Sequence, residues 1–168
     1  MPSIQLPHTA GCLVCGRDNP RGHRINLYVD PESSVVTCSY TPATTDIGFE
    51  GIVHGGVIAT ILDEAMVWAA TWSGKRFCVC GEFTIRFKKS AMVGEPLHVR
   101  AEVVSTRSRL IQTEVTVTDQ SGELLAIGSA KYTPLAAERN RQFVATLVDD
   151  LQTAQTAAAL RQATAAAL

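Results

Sequence analysis

The sequence predicts an α+β fold in which a curved antiparallel sheet of about six strands wraps around one long helix. Three observations predict this fold: a long apolar segment after His54-Gly55-Gly56, two alternating strands before it, and a series of alternating strands after it. One face of such a sheet must be covered. The apolar segment is the only part of the sequence apolar enough to cover it.

The apolar segment contains no proline or glycine between Gly56 and Gly74, which predicts a helix of about four to five turns. Apolar residues occupy nearly every face of this helix, so we expect it to be buried. Asp63 and Glu64 lie in its middle, where an unpaired carboxylate is costly. Because adjacent helical residues are rotated by about 100°, the two acids cannot face the same substrate.

Short strands are predicted on both sides of the helix. The hairpin before it has the alternating residues Ile25, Leu27 and Val29, then Val36, Cys38 and Tyr40. Residues 41–53 are too polar and too rich in turn residues to be regular. The strands after the helix are predicted at 77–89, 97–105, 110–118 and 124–132, as consecutive strands of an antiparallel meander. In the last of them, Leu125, Ile127 and Ser129 alternate.

The C-terminal segment, residues 138–168, is rich in Ala, Gln and Leu and has no Gly or Pro, which favours a helix. Its predicted apolar stripe consists of Phe143, Leu147, Leu151, Ala154 and Ala158, packed on this subunit or on a partner. The predicted organisation is one domain over residues 1–137, followed by a helical extension over residues 138–168.

Composition excludes several classes of function. The net charge is -1, and no basic cluster is large enough to give an electrostatic footprint for nucleic acid, so a nucleic-acid partner is not expected. The beginning of the chain lacks the basic flank and apolar core of a signal peptide, and no apolar run reaches the ~20 residues of a membrane span. We therefore expect a cytoplasmic protein that has no membrane partner.

Five cysteines in such a chain are expected to be reduced thiols. Cys12-x-x-Cys15 is compatible with zinc, with His8 or His23, or the pair Cys78 and Cys80, as further ligands. A structural zinc site usually has two clear ligand pairs, and only one is clear in this sequence. Buried, inert thiols and no metal are therefore the expectation.

The order of these elements resembles the hot-dog fold. The pattern Gly51-x-x-His54-Gly55-Gly56-x(6)-Asp63 is similar to the acyl-CoA thioesterases of that superfamily, including the phenylacetate-pathway type. Cys12-x-x-Cys15-Gly16-x-x-Asn19-Pro20-x-Gly22 also resembles a segment found before the fold in many uncharacterised members. The resemblance covers roughly residues 12 to 134.

The resemblance implies hydrolysis of an acyl-CoA thioester to a free acid and CoA. Asp63 would act as nucleophile or as general base, and these two routes stay open. The backbone N–H groups of Gly55 and Gly56, at the positive end of the helix, would polarise the thioester carbonyl. His54 would position the carbonyl or the water, or would only cap the helix. Coenzyme A is part of the substrate, and no separate cofactor is expected.

Further residues are candidates for substrate contact. Arg86, Lys88 and Lys89 form a modest basic cluster suited to the phosphates of coenzyme A, although a solvated strand end explains them equally well. Cys80 lies on the strand where some relatives have Thr or Ser facing the acid. Glu64 is the competing carboxylate, with a structural ion pair or hydrogen bond as its main interpretation and substrate contact as the other.

The resemblance also implies an assembly. Hot-dog subunits pair their sheets edge to edge, and each active site combines the helix acid of one subunit with the loop glycines of the other. We therefore expect a homodimer or a dimer of dimers that binds acyl-CoA. Two alternative functions stay open: an acyl-thioester dehydratase or hydratase, and a non-catalytic acyl-CoA binding module.

Overall fold

The computed structural model describes residues 2–166. In chain order, its strands are β1 (Ile4–Gln5), β2 (His8–Thr9), β3 (Leu27–Val29), β4 (Val36–Tyr40), β5 (Ile47–Phe49), β6 (Ile52–Val53), β7 (Cys78–Phe87), β8 (Leu97–Arg107), β9 (Leu110–Thr118), β10 (Leu124–Pro134) and β11 (Leu147–Val148). Its helices are α1 (Gly55–Gly74), α2 (Ala137–Val144) and α3 (Ala154–Ala166), with a 3₁₀ turn at Thr44–Asp46. Residues 1, 167 and 168, at the outer ends of the two predicted regions, lie outside the described residues.

The main sheet has seven strands in the order β1-β3-β4-β8-β9-β10-β7, and all neighbours are antiparallel. The prediction of a curved sheet of about six strands around a helix is confirmed, with the two-residue β1 as an additional edge strand. Strand β7 lies at the opposite edge of the sheet.

The predicted meander is wrong for its first strand, because β7 pairs with β10 and not with β8. The segment between β7 and β8 is hydrogen-bonded to the loop before α1. In this connection, Ala91 accepts a hydrogen bond from the Val53 N–H at 2.9 Å, and the Val93 N–H donates to Gly51 at 3.0 Å. These bonds carry the chain past the loop before α1, so that it enters the sheet beside β4.

Helix α1 spans the predicted segment and is largely buried, as predicted. Leu62, Ala65, Met66 and Ala69 are fully buried against the concave face of the sheet. The helix ends where Lys75 takes a left-handed conformation, with φ of 51°. No helix within residues 2–166 is both long and apolar enough to cross a membrane.

Strand β10 faces the helix mainly with residues that the sequence pattern did not select. Leu125, which the pattern selected, is buried, but so are Ala126, Ala130 and Tyr132, whereas Ile127 is partly exposed and Ser129 is exposed. The register of β10 shifts between Leu124 and Ala126 against β9, and between Lys131 and Tyr132 against β7. The first irregularity, at Leu125, breaks the two-residue period on which the prediction depended, and Ala126, Ala130 and Tyr132 then follow one alternation.

The predicted C-terminal helix is present as α3, but it does not extend over the whole of residues 138–166. The segment forms α2, the short strand β11 and α3, and β11 pairs with β2. Leu151, predicted on the apolar stripe, is fully exposed. The break has a local cause: Asp150 accepts hydrogen bonds from the backbone N–H groups of Gln152 and Thr153, and these bonds stabilise a turn.

The loop before α1 is more regular than predicted. The 3₁₀ turn is followed by β5 and β6, which pair as a small hairpin. This hairpin delivers the chain to His54, the residue that precedes α1.

Candidate active site

The N-terminus of α1 is formed by His54, Gly55 and Gly56. His54 is the N-cap, and its Nδ1 accepts a hydrogen bond from the Gly56 N–H at 2.9 Å. Because Nδ1 accepts this bond, the ring proton of the neutral imidazole lies on the exposed Nε2. Among residues 2–166, the Gly55 N–H has no hydrogen-bond partner. Gly55 therefore offers the free backbone donor, whereas the Gly56 donor is occupied.

The position of His54 is fixed by the preceding loop. Its N–H donates to the Asp46 carbonyl oxygen at 2.8 Å. Asp46 is itself buried, with its carboxylate accepting hydrogen bonds from the Tyr40 hydroxyl and from the Ala43 N–H. Gly48 allows the close approach, because a Cβ at this residue would lie 3.0 Å from the His54 Cα.

A cavity of about 470 Å³ opens beside the free Gly55 N–H. Its lining is mainly apolar, and two exposed aromatic side chains, Phe49 and Phe87, stand at its edge. The Phe87 ring packs against Gly55, where an added Cβ would lie 3.2 Å from the ring. The cavity therefore combines an apolar surface with a hydrogen-bond donor at the positive end of a helix.

The predicted basic cluster is divided between two faces of the sheet. Lys88 and Lys89 line the cavity beside Gly55, and Lys89 pairs with Glu123. Arg86 lines a different surface, together with Arg100. Within the described chain, the Lys88 ammonium has no ion-pair partner, so it is the cation available to a ligand in this cavity.

Asp63 contacts the edge of the sheet. Its Oδ1 accepts a hydrogen bond of 2.6 Å from the Tyr132 hydroxyl, which also lies 3.1 Å from the Asp63 carbonyl oxygen. Burial, and next this hydrogen bond, raise the pKa of Tyr132 above its usual range, so the phenol stays protonated and donates. Burial, and next the Asp63 charge, also raise the pKa of the Cys80 thiol, which pairs across the strands with Tyr132.

Tyr132 is the site residue that sequence reasoning missed. It is a tyrosine on the last strand of the main sheet, fully buried opposite the acid of the helix. A phenol at an inward-facing strand position is a usable signal, because a buried hydroxyl requires a partner. The alternating residues predicted for this strand were odd-numbered, from Leu125 to Ser129, and therefore did not include Tyr132.

Asp63 and the free Gly55 N–H of one chain are well separated. Asp63 follows Gly55 by eight residues, which corresponds to about 12 Å along the helix axis at 1.5 Å per residue. A thioester carbon and its carbonyl oxygen are bonded to each other, so both groups of one chain cannot contact one reacting centre.

Glu64 lies on a different side of α1 and contacts the N-terminal segment. Its Oε1 accepts a hydrogen bond from the Trp68 indole N–H at 3.0 Å and lies 3.7 Å from the Cys12 Sγ. Burial, and next the Cys12 charge, raise the pKa of Glu64 to about 7. A hydrogen bond from the Cys15 thiol lowers the pKa of Cys12 to about 5, and the same bond, with burial, raises that of Cys15. The two acidic residues of α1, Asp63 and Glu64, therefore contact different parts of the protein.

Two of the residues considered as zinc ligands from the sequence, His23 and Cys78, contact other partners. The His23 Nδ1 lies 2.9 Å from the Tyr40 hydroxyl, and the Cys78 thiol is 3.3 Å from the Arg76 carbonyl oxygen. Within residues 2–166, the side chains close enough together to hold a metal ion are Cys12, Cys15 and Glu64. Glu64 as the third member was not foreseen.

Comparisons with known proteins agree with this architecture. The family model described as "Thioesterase superfamily" matches residues 50–126. Among solved structures, the chain is similar to smu.793 from Streptococcus mutans UA159 bound to acetyl CoA, with 21% identity and a TM-score of 0.62 over 67% of this chain and 89% of that chain. No curated protein matches significantly.

Two further structures have the same fold. The E. coli PaaI protein, from the phenylacetic acid degradation operon, is 17% identical, with a TM-score of 0.62 over 68% of this chain and 81% of that chain. A hypothetical thioesterase protein with coenzyme A from Streptococcus pneumoniae TIGR4 is 18% identical, with a TM-score of 0.58 over 61% of this chain and 82% of that chain. The chain therefore has the hot-dog fold of these structures, and its residues 50–126 match the model of the thioesterase superfamily.

Proposed function

We propose that this protein hydrolyses an acyl-CoA thioester to a carboxylic acid and free coenzyme A. The observation that carries the proposal is the unpaired Gly55 N–H at the N-terminus of α1, which opens on an apolar cavity of about 470 Å³. The structures of similar proteins with acetyl CoA and with coenzyme A support this class of ligand.

The Gly55 N–H would stabilise the developing oxyanion. When a nucleophile adds to the thioester carbon, negative charge accumulates on the carbonyl oxygen, and a preorganised backbone donor at a helix N-terminus lowers the barrier. The His54 Nε2–H is exposed beside the same helix end and would donate a second hydrogen bond. The Gly56 N–H has a different part, because it holds the imidazole in place.

Asp63 would supply the nucleophile in one of two ways. As a general base, its carboxylate accepts a proton from water while the water oxygen bonds to the acyl carbon, and the C–S bond then breaks to release the CoA thiolate, which takes up a proton. As a nucleophile, the carboxylate forms an acyl anhydride and releases the thiolate, and water then cleaves the anhydride. In both routes, the Tyr132 hydroxyl holds the orientation of the carboxylate.

We further propose that the working site is shared between two copies of the chain. One chain holds Asp63 and the Gly55 N–H about 12 Å apart along α1. Strand β7 pairs with β10 on one side and has no partner on its other side among the described residues. Asp63 lies next to this edge, beside Cys80 of β7. Pairing of two β7 edges would bring Asp63 of one copy near the helix N-terminus of the other.

Lys88 is the candidate for binding the phosphates of coenzyme A. Lys88 is one of the residues that line the cavity beside Gly55, and its ammonium has no carboxylate partner in the described chain. The apolar wall with Phe49 and Phe87 suits the pantetheine and acyl portions of the substrate. Arg86, on the other surface, has no part in this arrangement.

Release of free thiol from acyl-CoAs tests the proposed reaction. The full-length protein is assayed with short, medium, long and aromatic acyl-CoAs, and hydrolysis of at least one class is expected. Saturable CoA binding without thiol release from any substrate would overturn hydrolysis and favour the binding module. Conversion of 2-enoyl-CoA or 3-hydroxyacyl-CoA without thiol release would favour the hydratase or dehydratase.

A further inference from the structure

Cys12, Cys15 and Glu64 form a compact group that the proposed hydrolysis does not use. Their sulfur and oxygen atoms lie within 4.8 Å of one another. The Cys12 Sγ is 3.7 Å from Glu64 Oε1 and 3.8 Å from Oε2. In a tetrahedral zinc site with bonds of about 2.3 Å to sulfur and 2.1 Å to oxygen, the two ligand atoms are about 3.6 Å apart. This pair already has the separation that a shared zinc ion requires.

The turn that holds both cysteines is built tightly. The Gly16 N–H donates to the Cys12 carbonyl oxygen at 3.1 Å, and the Val14 N–H lies 3.3 Å from the Cys12 Sγ. A backbone donor directed at sulfur stabilises the thiolate, which is the form that binds metal. A Cβ at Gly16 would lie 2.4 Å from the Cys12 carbonyl oxygen, so the turn requires glycine. The backbone therefore places the two thiols side by side.

The third donor is oriented by its own partner. The Glu64 Oε1 accepts a hydrogen bond from the Trp68 indole N–H at 3.0 Å, which is how an outer group orients a metal-binding carboxylate. The group joins two parts of the chain, because the cysteines lie in the N-terminal segment and Glu64 lies on α1. A metal at this position would tie that segment to the central helix.

The donor set favours zinc. Two thiolates are soft ligands that select Zn²⁺ over Mg²⁺ or Ca²⁺, and zinc accepts a carboxylate as a further ligand. Two thiolates and one carboxylate bring three negative charges to the divalent ion, leaving a net charge of about -1. A zinc site with four thiolates has a net charge of about -2, so the net negative charge at this site would be smaller.

A cavity of about 320 Å³ adjoins the three donor atoms. Its wall includes Trp68, Phe77 and Phe143, in addition to the three donors. A zinc ion with three protein ligands keeps one coordination position for water or another small ligand. The cavity offers space for that fourth ligand.

We propose that Cys12, Cys15 and Glu64 bind one zinc ion per chain, with water as the fourth ligand. The site lies apart from Asp63, because Glu64 is rotated from it by about 100° around the helix. The proposal is independent of the proposed hydrolysis, and its test measures metal binding alone.

Titration with Co²⁺, which substitutes for zinc and absorbs visible light, tests the site. The full-length protein is treated with a chelator, kept reduced so that no Cys12–Cys15 disulfide can form, and titrated with the metal alone. We expect one equivalent per chain, an intense tetrahedral spectrum with a thiolate-to-cobalt charge-transfer band, and displacement by Zn²⁺. Cys12→Ser should lose the tetrahedral spectrum, and Glu64→Gln should weaken binding about tenfold or more. Cys80→Ser, which alters a cysteine outside the group, should bind like the unmodified protein.

Absence of the charge-transfer band from the reduced protein would overturn the proposal, as would an unchanged titration in both Cys12→Ser and Glu64→Gln. Circular dichroism checks that each variant is folded. If Cys12→Ser does not fold, Glu64→Gln decides the question, because a carboxylate outside the coordination sphere would leave the cobalt affinity unaltered.

Discussion

The Tyr132 hydroxyl lies 2.6 Å from Oδ1 of Asp63, in a chain where these residues are 69 positions apart. This hydrogen bond connects β10 to the middle of the central helix α1. It fixes the carboxylate beside β7, whose outer edge has no strand partner among residues 2–166. Tyr132 is therefore a positioning residue for the proposed acid.

Tyr132→Phe tests that role. The variant keeps the ring, but the Asp63 carboxylate loses the hydrogen bond from the phenol. A hydrogen bond to a charged group stabilises by about 1.5 to 3 kcal/mol. We expect kcat/KM for acyl-CoA hydrolysis to fall about tenfold or more, with a smaller change in KM than in kcat. An altered pH profile of kcat would separate this role from a structural one. Wild-type kinetics and pH profile in a folded Tyr132→Phe variant would contradict it.

Two substitutions at His54 separate capping from substrate contact. His54→Asn keeps a side-chain acceptor for the helix N-terminus, whereas His54→Ala loses it and should lower the free energy of unfolding by about 1 kcal/mol. Both variants lose the Nε2–H donor, so both should lose activity by about tenfold. Urea denaturation and thiol release measure the two effects. Full activity in His54→Asn would reduce the residue to a helix cap.

The shared site predicts complementation between two inactive variants. Asp63→Asn keeps the helix N-terminus, and Gly55→Val keeps the acid but fills the space beside Phe87. In randomly mixed dimers, about half of the molecules carry both variants, and one of their two sites is then intact, so about a quarter of wild-type activity should return. Subunits are mixed by co-expression, and thiol release is measured. A site contained within one chain would show no recovery.

The C-terminal segment is expected to contribute to stability through Asn140. The buried Asn140 Oδ1 accepts a hydrogen bond from the Phe77 N–H at 2.8 Å, and its Nδ2 donates to Thr164 at 3.0 Å. Asn140→Leu should lower the free energy of unfolding by about 2 kcal/mol, because it leaves a buried N–H without a partner. Gln142→Leu, at an exposed position of the same helix, should change it by less than about 0.5 kcal/mol. Equal urea midpoints for the two variants would contradict this expectation.

The sequence was sufficient for the central helix, for the strands of the sheet around it though not for the position of β7, and for the different orientations of Asp63 and Glu64. These follow from periodicity, from glycine and proline positions, and from the rotation between adjacent helical residues. Most of the buried face of β10 was missed because a register shift at Leu125 interrupts its alternation. The turn between α2 and α3 was missed because summed helix propensity does not include the side-chain hydrogen bonds of Asp150.

The contact between Cys12 and Glu64 illustrates a different limit. The two residues are 52 positions apart, and no local pattern relates them. Cys12-x-x-Cys15 is compatible with a metal site, but the sequence pattern indicates only histidines and other cysteines as further ligands. Only the packing of the N-terminal segment on α1 brings a carboxylate to the pair.

Thiol release by Asp63→Asn tests the central claim most directly. The assay uses the acyl-CoA that the wild-type protein hydrolyses best, and circular dichroism and CoA binding confirm that the variant is folded and binds ligand. We predict a loss in kcat of about 100-fold or more, because the amide can act neither as the base nor as the nucleophile. Activity within about twofold of wild type would contradict the assignment of Asp63 as the catalytic acid.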